Sequence, residues 1–170
     1  MNGIVVVWKQ ILLFELARKT TLRLLLIPLL DSWITHADAE PEFINRSTLE
    51  NSNFEKYFTD CFSGNETSFL LIAEDEGTIA GFIKLSIQTI QSFFNETTVM
   101  YIDDIFTMEN YRQRSVASLL LRKAHKLAKE KNIKWMKARV YSFNEPAQFT
   151  FESAGYKKLY SEYFKILHDN

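Results

Sequence analysis

The chain has one cysteine, Cys61, in 170 residues. A lone thiol excludes an internal disulfide framework and a cysteine-built zinc site within one chain. It fits a reducing compartment, so the cytoplasm is the expected location. Cys61 itself reads as a small, half-buried hydrophobe, with a nucleophilic role left open. Net charge is nearly absent too: 20 Lys plus Arg stand against 21 Asp plus Glu, which gives −1. That balance excludes a general nucleic-acid binder held by phosphate neutralisation. No apolar run approaches the ~18–20 residues that span a bilayer, because Lys9, Glu15, Arg18, Lys19 and Arg23 break up the apolar patches near the start. No basic segment precedes a cleavable apolar stretch, so no secretion signal is expected. The sequons at Asn45, Asn65 and Asn95 then read as chance. With only 5 Gly and 3 Pro, no flexible linker divides the chain.

What is present is an ordinary globular mixture, 46% hydrophobic and 24% charged, with 14 Phe that argue against disorder. One domain over 1–170 is expected, large enough to bury a real core. The most informative stretch is YIDDIFTMENYRQRSVASLLLRKAHKLA, Tyr101 to Ala128. Val99 to Thr107 is β-branched and aromatic, as a buried strand is. Met108 to Ser115 is a polar loop. Val116, Leu119, Leu120, Ala124, Leu127 and Ala128 then recur on a 3.6-residue period, which predicts an amphipathic helix. A helix starting straight after a strand aims free N–H groups and its dipole into the loop, where an anion such as phosphate is favoured. Arg112 and Arg114 add positive charge there. An ordinary crossover with two solvated arginines fits the same residues.

Around that stretch the chain reads as follows. A first strand lies in Ile4 to Val7, in Gln10 to Ala17, or in both. A helix capped at Thr20 or Thr21 runs to about Thr35, with Pro28 expected to kink or divide it. After a loop from Ala37 to Phe43, a second helix capped at Ser47 or Thr48 reaches about Phe62. Ser63 to Thr67 is a turn. Phe69 to Ala73 and Ile79 to Ile90 form a hairpin about Asp75-Glu76-Gly77. Gly81 marks a bulge or a close backbone approach. Lys134 to Tyr141 is a strand. Glu145 to Ser153 is a helix with Pro146 in its first turn and Gly155 past its end. Tyr156 to Leu167 is a terminal strand region. This order predicts an α+β sandwich: a mixed, mostly antiparallel sheet flanked by helices.

Two motifs in that order resemble the GNAT superfamily of acetyl-CoA-dependent N-acetyltransferases. YIDDIFTMENYRQRSVASLLL resembles the acyl-CoA motif, and NEPAQFTFESAGY, Asn144 to Tyr156, resembles a second family motif. The likeness is closest to diamine and spermidine/spermine N-acetyltransferases, which share an acidic pair in the strand, then Met-x-x-Tyr-Arg, then Asn-Glu-Pro. The resemblance implies acetyl-CoA as cosubstrate, a small primary amine as acceptor, and a homodimer. It implies that Ile105, Phe106 and Thr107 offer backbone to the pantetheine arm. It implies that Arg112, Gln113, Arg114, Ser115, Val116, Ala117 and Ser118 grip the pyrophosphate, and that Asn144 and Phe151 lie at the cofactor arm. Asn144 as a plain helix cap explains its residue type equally well.

The chain departs from the family pattern at two places. Gln113, Ser115 and Ala117 stand where glycines are usual in the phosphate loop; alanine at the last is common in the family, but serine at 115 is not, and a Cβ there would crowd the phosphates or cost strain if φ is positive. Phe151 stands where the family has a tyrosine that protonates the departing thiolate; Tyr156 or Tyr160 is a candidate substitute. By the resemblance, Asp103 is the base, through water, with Asp104 on the opposite face of a regular strand. Either carboxylate could instead bind the amine or form a salt bridge. A backbone N–H near Ile105 would hold the oxyanion. No metal is expected, since His36, His125 and His168 do not cluster. The alternative function is a non-catalytic acyl-CoA-binding or regulatory module, favoured by Phe151 and Ser115.

Overall fold

The structure, a computed structural model, describes residues 5–8, 15–52, 54–62 and 65–167. Its five strands form one sheet in chain order: β1 (Val5–Trp8), β2 (Ser68–Asp75), β3 (Thr78–Thr89), β4 (Thr98–Thr107) and β5 (Trp135–Ala138). The first four are antiparallel to their neighbours, and β5 runs parallel to β4. Three helices separate β1 from β2: α1 (Glu15–Ala39), α2 (Arg46–Glu50) and α3 (Glu55–Phe62). Helix α4 (Val116–Glu130) carries the chain from β4 to β5, and α5 (Glu145–Ser153) follows β5. This is the expected α+β architecture.

The sheet is covered on both faces, which explains why its strands read as apolar runs rather than as alternation. Phe69, Leu71 and Ala73 of β2 pack with Ile83, Leu85, Met100 and Ile102 against Val116, Leu120, Leu121, Ala124 and Ala128 of α4. Leu70 and Ile72, the intervening residues of β2, point the other way with Phe82. They meet Leu22, Leu25 and Leu29 of α1 and Phe58 and Phe62 of α3. Each such side chain contributes about 1.5–3 kcal/mol by leaving water. The predicted stripe of α4 is thus the one that docks. At its far end Lys131 N–H caps Leu127 O, and Ile133 N–H reaches Ala128 O.

Several boundaries differ from the sequence reading. Helix α1 passes through Pro28 to Ala39 without dividing, because Leu25 and Leu29 anchor the turns on both sides of the proline in the core. Of the Gln10 to Ala17 strand alternative, 10–14 lie outside the described residues and 15–17 are helical. The expected helix up to Phe62 is two, broken at residues 51–54, with Asn45 rather than Ser47 or Thr48 as the cap: its Oδ1 accepts from Thr48 N–H. The expected turn from Ser63 to Thr67 lies partly outside the described residues. The β2–β3 hairpin turns at Glu76-Gly77, both at positive φ. Residues 156–167 form no strand: they have no sheet partner, and Leu159, Tyr163 and Leu167 stay exposed.

Gly81 shows both predicted features. The β2–β3 register slips between Ala73 and Glu74, leaving Ala80 as an extra residue beside Gly81. A Cβ on Gly81 would lie 2.4 Å from Phe106 O and 3.0 Å from Val116 Cγ1. The glycine therefore lets β4 and the first residue of α4 close onto β3. Gly81→Ala is expected to destabilise the fold by about 2–4 kcal/mol, read by chemical denaturation. An unchanged midpoint would show that β4 can move away at no cost.

Candidate functional site

The chemistry-bearing side chains gather where two irregularities of β4 coincide. Pairing with β5 runs only from Val99–Trp135 to Ile102–Ala138. Directly afterwards, the β3–β4 register slips: Lys84 pairs with Asp104 and Leu85 with Ile102, so Asp103 is an extra, unpaired residue. Beyond this bulge, β4 keeps β3 on one side and has no register partner in β5 on the other. An edge of that kind offers main-chain N–H and C=O groups to an extended ligand. Ile105, Phe106 and Thr107 lie on it.

The bulge corrects one expectation. In a regular strand Asp103 and Asp104 would face opposite ways; the added residue puts both on the α3 side. Asp103 Oδ2 accepts from Lys84 Nζ at 2.9 Å and its Oδ1 from Ser86 Oγ at 2.9 Å. Asp104 Oδ2 accepts from the hydroxyl of Tyr57 on α3. The Lys84 ammonium also sits over the Tyr57 ring, 4.2 Å from its centre. Burial pushes the Asp104 carboxyl up to about 6, against the Tyr57 hydrogen bond, which lowers it; Asp103 raises it and Lys84 lowers it. Burial beside Asp104 likewise drives the Tyr57 hydroxyl far above the ordinary phenol range, so it acts as a donor. Asp103 is thus held by two donors, while Asp104 is a carboxylate whose basicity has been raised.

The loop after β4 is built for main-chain donors. A 3-10 turn, Glu109–Tyr111, is followed by Arg112 in extended backbone, and then Gln113 and Ser115 are both left-handed at φ 61°. They are two of the three positions where glycine is usual in the resembled pattern; Ala117, the third, is not at positive φ. The left-handed steps turn the chain into α4 with Val116 buried; left-handed turns of this kind are the backbone from which anion-binding concavities are made. Ser115 is the cap position of α4 and makes no side-chain cap bond. Among the described residues, the N–H groups of Val116, Ala117 and Ser118 have no protein acceptor, as expected of a first helical turn. Arg112 and Arg114 are exposed at the same loop, and Arg114 lies over the Tyr111 ring.

Two of the expected cofactor contacts also have a role in the fold. Asn144 caps α5, its Oδ1 accepting from Ala147 N–H at 3.1 Å; its NH2 group retains donor capacity. Phe151 belongs to the core cluster against which Ile105 packs. It is buried against the α4 side of the sheet, with Tyr156 edge-on to its ring, because α5 needs an apolar anchor there. Tyr156, a candidate replacement acid, has its hydroxyl 3.0 Å from His125 Nε2 and donates to Met136 Sδ. Burial pushes that hydroxyl up to about 12. Tyr160, the other candidate, is exposed.

Sequence reasoning missed Lys84, Ser86 and Tyr57. Lys84 had a signal: a lysine between Ile83 and Leu85 in an apolar strand must find a counter-charge. Tyr57 had none, since it reaches Asp104 from 47 positions away. Also missed was the stack that ties α1 to the loop after β5. His36 lies with ring centres 5.6 Å from Trp33, 4.9 Å from Tyr141 and 5.3 Å from Phe143.

A model of the acetyltransferase (GNAT) family matches residues 31–156, a span from within α1 to the end of the second motif. The chain belongs to the acetyltransferase (GNAT) family, the class of enzymes that takes its acyl group from acetyl-CoA. No curated protein matches it in sequence. Among solved structures, a mutant of the BH1408 protein from Bacillus halodurans superposes with a TM-score of 0.80 at 15% identity, over 96% of this chain and 99% of that one. The aminoglycoside N-acetyltransferase AAC(6')-Iy in complex with CoA does so with a TM-score of 0.65 at 16% identity, over 99% and 97%. An aminoglycoside acetyltransferase, HMB0005, from an uncultured soil metagenomic sample gives 0.64 at 17%, over 98% and 99%. At these identities the likeness is one of fold. No helix among the described residues is long and apolar enough to cross a membrane.

Two outcomes are expected from this geometry. Ser115→Gly and Gln113→Gly each relieve a left-handed side chain and raise stability by about 0.5–1 kcal/mol; a lower unfolding midpoint in both would contradict the strain. Asp104→Asn tests the raised carboxyl. An acid at about 6 when folded and 3.8 when unfolded binds its proton more tightly in the folded chain, so ionisation costs stability above pH 6 and nothing below 3.8. The asparagine variant should therefore melt higher than wild type at pH 8, by an amount that shrinks toward pH 4. A pH-independent difference would show that Asp104 is not desolvated.

Proposed function

We propose that this chain transfers the acetyl group of acetyl-CoA to the primary amine of a small molecule, with Asp104 as base. The carrying observation is the bulge at Asp103, which sets two carboxylates on one face at the point where β4 parts from β5. Support for the donor comes from family membership, from the left-handed loop that opens α4 with its first-turn N–H groups free, and from neighbours of the same fold solved with CoA. Support for an amine acceptor comes from the paired carboxylates and from the aminoglycoside acetyltransferases among the neighbours. The finer likeness to diamine and spermidine/spermine enzymes rests on the sequence motifs alone, and a polyamine is the acceptor class they suggest.

In this reading the pantetheine arm pairs with β4 at Ile105 to Thr107, and the pyrophosphate lies over residues 112–118. An alkylammonium has a pKa near ~10.4 and must lose a proton before it attacks. Raising the Asp104 carboxyl from 3.8 to about 6 makes that transfer less uphill by about 2–3 kcal/mol. The free amine then adds to the thioester carbonyl, whose oxygen gathers charge near the Ile105 N–H. Collapse breaks the C–S bond and expels the thiolate, and the new amide nitrogen gives up its second proton to solvent. No acid is needed for departure at neutral pH, since a thiol of pKa ~8.5 is a tolerable leaving group. A missing general acid slows the step by about 10²- to 10⁴-fold.

The buried Phe151 favours one other reading, a chain that binds acetyl-CoA and regulates without turnover. The two separate in one assay of the full chain with acetyl-CoA and an amine panel, following free thiol and acetylated product. Turnover is expected, with kcat/KM falling below about pH 6 as Asp104 is protonated. Asp104→Asn should lower it by about 10²-fold or more, while Asp103→Asn should leave the position of the acid limb within reach of wild type. CoA binding by calorimetry without acetylation of any amine would decide for the regulatory reading. The single domain over 1–170 and the homodimer stand as part of the same proposal, the latter read by light scattering.

A further inference from the structure

We propose that Lys84 is a specificity-determining residue: it supplies from within the chain the cation that Asp103 would otherwise take from the acceptor, so the site accepts an amine with one charged nitrogen. This deepens the amine-acceptor reading above, on which it rests, and departs from the polyamine class suggested by the motifs, whose members carry two or more charged nitrogens.

The geometry is that of a bound amine. The Lys84 side chain is 11% exposed and that of Asp103 16%, so the pair is largely removed from water. Its ammonium meets a carboxylate oxygen at 2.9 Å and an aromatic face at 4.2 Å, the two contacts by which a site holds an alkylammonium. Ser86 fixes the other oxygen of the same carboxylate. Both oxygens of Asp103 are thus engaged, one of them by a full positive charge that offsets its own. Among the described residues, Asp104 accepts a side-chain hydrogen bond from a neutral hydroxyl, that of Tyr57. Two carboxylates and one ammonium leave the cluster a net charge of −1, enough for one ammonium. A lysine desolvated at this position is costly unless paired, and an apolar residue in its place would leave the largely buried Asp103 without its cation. What the lysine adds is the division of the acidic pair into one occupied and one open carboxylate.

The test compares butylamine with 1,4-diaminobutane, which differ by one nitrogen. Their affinities for the full chain in the presence of CoA are measured by calorimetry, in wild type, Lys84→Met, Lys84→Arg and Asp103→Asn. Wild type should bind the diamine little better than the monoamine. Lys84→Met, at net −2, should shift the affinity ratio toward the diamine by about tenfold or more, and the gain should shrink as salt rises. Lys84→Arg keeps the charge and should keep the wild-type ratio. Asp103→Asn, at net 0, should move the ratio the other way, and it carries the test alone if circular dichroism shows Lys84→Met unfolded. A ratio unchanged across the folded variants, or no binding of either amine to wild type, overturns the inference. Because binding is the readout, a ratio that shifts without any acetylation would count against the transferase reading and leave the role of Lys84 standing.

Discussion

One extra residue in one strand governs the site. If β4 paired with β3 without a slip at Asp103, the two acidic side chains would alternate, and one of them would enter the apolar layer beneath α4. The bulge spares the fold an unpaired charge among Leu85, Met100 and Ile102. It also turns the strand just where β5 ceases to accompany it. A charge pair on one side and an open main-chain edge on the other therefore arise from a single irregularity. Everything else in the site holds these two features in place. Gly81 allows β3 to approach, Tyr57 reaches across from α3, and α4 begins hard against β3.

The same fold shows how local strain and local satisfaction are distributed. Helix α5 is closed at both ends: Asn144 caps its start, and Tyr156 and Gly155 N–H groups return to Phe151 and Glu152 carbonyls at its end. Helix α4 is satisfied only at its end. Its start is entered through two left-handed non-glycine residues and lacks a side-chain cap. Strained backbone with unsatisfied donors is the kind of irregularity that clusters at ligand sites. The contrast between two helices of one chain is sharper than either feature alone.

Much of this was legible in the amino-acid order. The apolar stripe of α4, the Asp-Glu-Gly hairpin, Pro146 in the first turn of α5 and the glycine after it are local signals. Each is decided within a few residues, and each element lies where they put it. What failed was of two kinds. The helix through Pro28 and the break before α3 are decided by which side chains reach the core, and that depends on neighbours distant in sequence. The unpaired 156–167 segment is the same failure in reverse, since alternating apolar residues make a strand only beside a partner. The carboxylates were singled out through the family resemblance, but their shared face was not, because a bulge is a property of two strands in register. Lys84 was readable in principle; Tyr57 was not, being a single aromatic in a helix full of them.

The open side of β4 beyond Ile102 has a consequence for the life of the molecule. A thioester whose amide-bearing arm pairs with that edge engages the folded chain and has nothing comparable to grip in the unfolded one. Occupancy then adds to the free energy of unfolding by mass action, about 2.7 kcal/mol when the ligand stands at a hundred times its dissociation constant. It also covers an edge that could otherwise recruit a stray strand. If acetyl-CoA takes that edge as proposed, how long the protein persists in a cell is tied to the metabolic supply of its own cosubstrate.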